Sequence, residues 1–261
     1  MDLKNFTQEV VDIVRPVKEF IAEQSLLLKA ADVIAKGDSS LVSYVDKTAE
    51  EMLVKGLNNL LPEAQVLAEE GSENAESNSP YRWIIDPLDG TTNYVHQIAP
   101  YAISVALEKN GELLTGVVWE VVRNECFTAW KNGGAYLNGR KIQVSQTDLL
   151  KNAVVATGFP YSDFRMLDKQ FELLNRLTRD VRGIRRLGAA AVDLAYVACG
   201  RLDVYFEYSI KPWDIAAGCL LVTEAGGSLS NYDNEPTSVY TSSLIATNGR
   251  IHKTFMEKFE I

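Results

Sequence analysis

Apolar residues recur at helical spacing from residue 2 to about 23: Leu3, Phe6, Val10, Ile13, Val14, Val17 and Ile21. Residues three and four apart share one face, so the spacing predicts an amphipathic helix. Pro16 falls inside it and predicts a kink. A second helix is expected over 46–60, with Met52, Leu53, Leu57 and Leu60 on one face and Pro62 just beyond its end. The period then changes. Residues 66–68 read as a short strand running into Glu69 and Glu70; a polar loop spans 71–80, and 82–85 is the next strand. Two further strands, 102–108 and 112–119, flank Asn110-Gly111. That dipeptide tolerates the positive φ angles of a tight hairpin turn. Residues 125–130 continue the meander, and Asn138-Gly139 marks another turn.

The second half has a different rhythm. Apolar strands near 153–157, 181–185, 203–206 and 243–246 alternate with helical patterns near 165–178, 189–199, 213–225 and 250–260. An antiparallel first half followed by alternating strands and helices predicts a layered α/β fold. The 261 residues are enough for one large domain, or for two lobes, 1–150 and 151–261, sharing a core. Neither a repeat nor an obvious linker divides them.

Composition narrows the chemistry. No window of about 18 apolar residues is present, so no membrane span is expected. The N-terminal stretch is mixed in charge and lacks the apolar centre of a signal peptide, which points to the cytoplasm. The formal net charge of −9 disfavours nucleic acid and anionic lipid as partners. An anionic substrate would then need something positive to mediate contact. Cys126, Cys199 and Cys219 form no CxxC pair and sit in apolar surroundings, so buried free thiols are expected. With only His96 and His252 in the chain, a histidine-based zinc site is disfavoured. His96 reads as a helix-end or packing residue, and Trp83 and Trp213 read as core.

Acids stand where strands meet loops or helices: Glu69-Glu70, Asp86 with Asp89, Glu207 and Asp214. Taken singly, Glu69-Glu70 reads as the start of a solvated loop, Glu207 as a surface charge and Asp214 as a helix cap. The segment IIDPLDGTTNYVH, residues 84–96, reads differently. Pro87 fixes φ between two acids and interrupts the ladder. Gly90 permits close backbone approach, and Thr91-Thr92 can open a helix whose first N–H groups are unpaired. One turn thus offers carboxylates for a hard cation beside donors for a phosphate. Oxygen ligands of this kind suit Mg²⁺ or Mn²⁺.

WIIDPLDGTTNYVH resembles the first signature of the inositol monophosphatase family, and KPWDIAAGCLLVTEAGG, residues 211–227, resembles the second. GIRRLGAAAVDLAYVACGRLDVYFE, between them, and LAEEGS, residues 67–72, are also similar to that family, so the resemblance covers nearly the whole chain. It implies an αβαβα fold and Mg²⁺-dependent hydrolysis of phosphate monoesters, with two or three ions. Carried over by position, the metal ligands are Glu69, Asp86, the carbonyl of Leu88, Asp89 and Asp214. Thr91 helps to activate the attacking water with Asp46 as its partner, and Asp46 also supports a third metal through water. The N–H groups of Gly90 and Thr91 hold the phosphate. Glu207 binds a substrate hydroxyl, Gly188, Ala189 and Ala190 line that pocket, and Glu70 stands behind the ligands.

The residues after the DGT are Thr92, Asn93, Tyr94, Val95 and His96, similar to the inositol phosphatase branch rather than to the Lys-Glu-Phe of the nucleotidase branch. Ala189 stands where many relatives carry Ser or Thr, and the stretch 158–165 borders the substrate on this reading. The resemblance further implies myo-inositol 1-phosphate or a similar polyol phosphate as substrate, lithium sensitivity and a homodimer. A fructose-1,6-bisphosphatase, a 3′-phosphonucleotide or NADP phosphatase, and a non-catalytic partner-binding role remain as alternatives.

Overall fold

The computed structural model describes residues 1–27, 41–71, 79–160 and 163–259. Most of the loop expected over 71–80, and part of the stretch 158–165, lie outside the described residues. Helix α1 (Leu3–Leu27) runs unbroken through Pro16, longer than its pattern predicts. Helix α2 (Leu41–Leu60) follows. The strands β1 (Gln65–Ala68), β2 (Tyr81–Asp89), β3 (Ala102–Lys109), β4 (Glu112–Glu120), β5 (Glu125–Trp130), β6 (Gly134–Leu137) and β7 (Arg140–Ile142) form one sheet in chain order. Among the described residues of this sheet, β1 and β2 pair in parallel and the other neighbours antiparallel. The short helix α3 (Thr91–Val95) sits between β2 and β3, and His96 ends it, as expected.

The second sheet has the order β11-β12-β10-β8-β9. Its strands are β8 (Val154–Thr157), β9 (Gly183–Arg185), β10 (Val204–Tyr208), β11 (Ser228–Ser230) and β12 (Ser243–Thr247). Helices α4 (Leu167–Asp180), α5 (Ala190–Ala198), α6 (Pro212–Glu224) and α7 (His252–Phe259), with a 3-10 turn at Leu150–Asn152, complete the described elements. Both Asn-Gly turns take the expected positive φ: 51° and 83° at Asn110 and Gly111, 48° and 76° at Asn138 and Gly139.

Three cores separate five layers. Val10, Val14, Ile21, Leu53 and Leu57 of α1 and α2 pack on Trp83, Ile85, Ile103 and Val117 from one face of the first sheet. Ile84, Ala106, Val118 and Phe127 from its other face meet α5 and α6, which also touch Tyr205, Leu244 and Ala246 of the second sheet. The far face of that sheet, through Val155, Val204, Phe206 and Ile245, packs on Leu173 and Leu177 of α4 and Phe255 of α7. The arrangement is αβαβα. Because α5 and α6 lie between two sheets, their buried residues are apolar on every side except at Asp193. No helix among the described residues is long and apolar enough to cross a membrane. Cys126 and Cys219 are buried and free, while Cys199, also free, is only half-buried.

One strand departs from its expected end. The pattern stops at Ile85, yet β2 continues through Asp86, Pro87, Leu88 and Asp89. Asp86 faces Ser104 and Asp89 faces Ala102, with a register shift between. Pro87 and Leu88 thus occupy the span of one residue on β3, which is a β-bulge. Proline is tolerated there because the bulge releases it from the ladder.

Small residues set the thickness of the middle layer. A Cβ built on Gly218 of α6 would lie 2.5 Å from the Cβ of Leu194 in α5. Gly218→Val should therefore lower stability by about 1–3 kcal/mol through overpacking, measured by urea unfolding. Valine is the better helix former, so a loss would report the clash and unchanged stability would refute it.

Candidate active site

The two acids of the bulge meet on one side of the sheet for a geometric reason. Side chains alternate along a strand, so residues three apart normally leave opposite faces. The extra residue at the bulge resets the alternation. Ile84 faces α6, Leu88 packs with Trp83 and Ile85 toward α1 and α2, and Asp86 and Asp89 both line a cavity at the end of the middle layer. The cavity measures about 370 Å³.

Each strand acid is aimed by a backbone donor. The Leu88 N–H donates to Asp86 Oδ1 at 2.9 Å, and the Ala191 N–H, in the first turn of α5, donates to Asp89 Oδ2 at 2.7 Å. The Lys211 N–H donates to Asp214 Oδ2 at 2.8 Å, so Asp214 does act as a cap at the start of α6 while also lining the cavity. Glu69 reaches the same cavity from the end of β1, and Glu207 from β10. The corner between β2 and α3 is turned by Gly90, with φ 88°. A Cβ there would come within 3.1 Å of Ala189 Cβ and of the Gly188 and Pro100 carbonyls. Asn93 ties this corner to the loop before α5, donating to the Pro100 and Leu187 carbonyls, each at 2.7 Å.

Of the residues singled out from the sequence, Glu69, Asp86, Leu88, Asp89, Gly90, Thr91, Gly188, Ala189, Ala190, Glu207 and Asp214 all line this one cavity. Asp46 and Glu70 do not. Asp46 is buried beside Glu70, Glu69 and Glu50, and Glu50 Oε2 accepts the Glu70 N–H at 3.0 Å. Thr91 Oγ1 donates to the Leu88 carbonyl at 3.0 Å, so the hydroxyl is engaged with Leu88 here. Asp46 lies close enough to Tyr94 of α3 to push that phenol upward in pKa, after burial and Tyr101. Trp213 is only half-buried and lines the cavity, unlike the fully buried Trp83. Sequence reasoning missed Asp193, Arg186 and Lys211 on the cavity wall. Asp193 is buried inside an apolar helix, and that break in an otherwise apolar run was the available signal.

The electrostatics are those of crowded acids. Burial, then the charges of Glu69, Asp89 and Asp214, holds Asp86 well above the usual carboxylate range. Burial and Asp214 do the same to Asp89. Glu69 is exposed by surface area, yet enough protein surrounds its carboxyl that desolvation, followed by Asp214, lifts it to about 7. Burial raises Asp214 to about 6 and Glu207 to about 7, and it raises Asp46 to about 8, with Glu70 next in effect. Among the described residues no three acidic, cysteine or histidine side chains are already gathered as a metal site. The acids instead stand around the cavity, oxygen donors whose mutual repulsion a hard cation would relieve.

The model of the inositol monophosphatase family matches residues 2–261. A protein named inositol-1-monophosphatase, from Synechocystis sp., is 41% identical over 230 residues, covering 88% of this chain and 80% of that protein. One named Nus factor SuhB, from Pasteurella multocida, is 37% identical over 245 residues, covering 89% of this chain and 92% of that one. The solved inositol monophosphatase from Anabaena (Nostoc) sp. shares the fold with a TM-score of 0.85 at 33% identity, over 99% of this chain and 96% of that chain. The match runs over nearly the full length in both sequence and fold: the chain belongs to the inositol monophosphatase family and is a phosphate monoester hydrolase.

Proposed function

We propose that the protein hydrolyses a small polyol phosphate, myo-inositol 1-phosphate first among them, and that Mg²⁺ is its metal. The observation that carries this reading is the gathering of Glu69, Asp86, Leu88, Asp89 and Asp214 on one cavity wall. These residues would hold two or three ions, with Asp46 as support for a third. The bound metal supplies an activated water and neutralises charge on the attacking and leaving oxygens. The chain's residues do the rest. The Gly90 and Thr91 N–H groups hold the phosphate at the corner between β2 and α3, and Thr91, with Asp46, helps to activate the water. Gly188, Ala189 and Ala190 shape the leaving-group side, where Glu207 accepts a hydrogen bond from a substrate hydroxyl. Glu70 acts on Asp46 and Glu69 through its charge. Lithium sensitivity, a homodimer and a cytoplasmic site of action belong to the same reading.

A second reading, action through a partner, draws on the name Nus factor carried by the Pasteurella relative. The filled cavity wall favours chemistry, since a binding module has no use for buried like charges. The deciding experiment is phosphate release with Mg²⁺ from inositol 1-phosphate, fructose 1,6-bisphosphate, 3′-phosphoadenosine 5′-phosphate and NADP. Preference for the first supports the proposal; preference for another replaces the substrate; silence across the panel favours the partner.

Asp89→Asn and Asp214→Asn should each lower turnover at least about a hundredfold, because metal stabilisation of this chemistry is worth several kcal/mol. Circular dichroism should report an intact fold. Full activity in either variant would sink the assignment.

Protons held by Asp46, Glu69 and Asp214, at about 8, about 7 and about 6, must leave when a cation binds. Mg²⁺ affinity should therefore weaken as pH falls from about 8 to about 6, with proton release recorded by calorimetry in buffers of different ionisation heat. The sign for stability is opposite. An acid raised in the folded state contributes stability below its unfolded value, near 4, and loses it as pH rises through the folded one. The metal-free protein should lose melting temperature from about pH 5 to about pH 9, and Mg²⁺ should restore it most at the alkaline end. A flat pH dependence of both quantities would contradict this account.

A further inference from the structure

Glu207 sits on β10 two residues after Tyr205, so both side chains leave the same face of the strand. Tyr205 is wholly buried in the core between the two sheets, and its hydroxyl donates to Glu207 Oε2. The ring is packed on all sides, so the hydroxyl is a fixed point.

Gly158, just past the end of β8, supplies the other constraint. A Cβ built on it would lie 1.9 Å from Glu207 Oε2 and 2.1 Å from its Cδ. The Glu207 carboxylate therefore rests on the bare Cα of Gly158, and any side chain there would occupy its place. That Cα is itself held. Gln170 of α4 donates to the Gly158 carbonyl at 2.5 Å and to Thr157 Oγ1 at 2.9 Å, and Thr157 donates to the Phe206 carbonyl at 2.8 Å. The ends of β8 and β10 are thus locked together around the carboxylate.

The neighbours explain why a lock is needed. Asp193, buried on the same cavity wall, repels Glu207, and Arg186, exposed at the cavity, attracts it. Asp214, at the same cavity, repels it as well. Among the described residues Asp193 Oδ1 has no hydrogen-bond partner.

We propose that Tyr205 and Gly158 are positioning residues that fix the Glu207 carboxylate as a rigid acceptor, and that this acceptor selects a leaving group presenting a hydroxyl. The inference rests on the phosphatase reading above and adds the residues that set its selectivity. Neither Tyr205 nor Gly158 reaches the reacting phosphate on this account; both act through Glu207.

The test compares kcat/KM, with Mg²⁺ present, for myo-inositol 1-phosphate and for cyclohexyl phosphate, which has the same ring without the hydroxyls. Wild type, Tyr205→Phe, Gly158→Ala, Glu207→Gln and the double variant Tyr205→Phe/Glu207→Gln are measured, each with its melting temperature. Loss of a hydrogen bond to a charged acceptor should reduce the preference for inositol 1-phosphate about tenfold in each single variant, chiefly through KM. The double variant should be no worse than Glu207→Gln alone, as expected when one residue acts only through the other. Equal losses on both substrates, unchanged preference, or additive effects in the double variant would overturn the inference. Should Gly158→Ala fail to fold, Tyr205→Phe decides alone, since it removes one oxygen from a packed ring. A wild type active on both esters separates this test from the parent reading; one inert toward both overturns the polyol-phosphate reading and the inference with it.

Discussion

A strand can carry acids at positions i and i+3 on one face only if its alternation is broken between them. In β2 the break is the bulge at Pro87 and Leu88. Without it Asp89 would point into the core formed with α1 and α2, where an unpaired carboxylate is intolerable. With it both acids reach the cavity, and Leu88 takes the apolar side instead. The proline is part of the same solution. It has no N–H to contribute to a ladder and is housed where the ladder is interrupted.

The rest of the fold keeps that bulge in register with three other segments. The start of α5 donates an N–H to Asp89, and the start of α6 brings Asp214. Ser104 of β3 donates to the Trp213 carbonyl at 3.2 Å, tying the strand opposite the bulge to the N-terminus of α6. Asn93 joins the corner after β2 to the loop before α5. These contacts work because α5 and α6 form a thin layer of small residues between two sheets. The same layer carries the apolar core, so the packing that stabilises the protein is also what converges its acids.

Convergence costs electrostatic energy. Asp86 and Asp89 are buried, and among the described residues the charges that act most on them are those of other acids. Lys211 acts on Asp214 and Arg186 acts on Glu207 and Asp193, both at the cavity rather than beneath the strand acids. The cavity is thus divided. Asp86 and Asp89 lie on its sheet side, while Lys211 and Arg186 stand beside Asp214, Glu207 and Asp193.

What the sequence by itself determined was whatever local spacing controls. The amphipathic α1 and α2, both Asn-Gly turns and the alternation of strands and helices after residue 150 follow from side-chain period and backbone preference. The acids Glu69, Asp86, Asp89 and Asp214 were legible as a set because two long signatures contain the last three and LAEEGS carries the first. Helix and strand limits were less so. β2 ran on past Ile85 because pairing with β3 and a bulge kept it in the sheet, and β6, β7 and β11 are too short to carry a pattern of their own. Tertiary structure alone decided that Asp86 and Asp89 share a face, that Trp213 lines the cavity, and that Asp193 and Arg186 stand beside Glu207. It also decided that Gly158 leaves room for that carboxylate. The physical reason is one of range. Period and propensity act over a few residues, whereas Gly158 and Glu207, or Asn93 and Leu187, meet only after two sheets have closed on the helices between them.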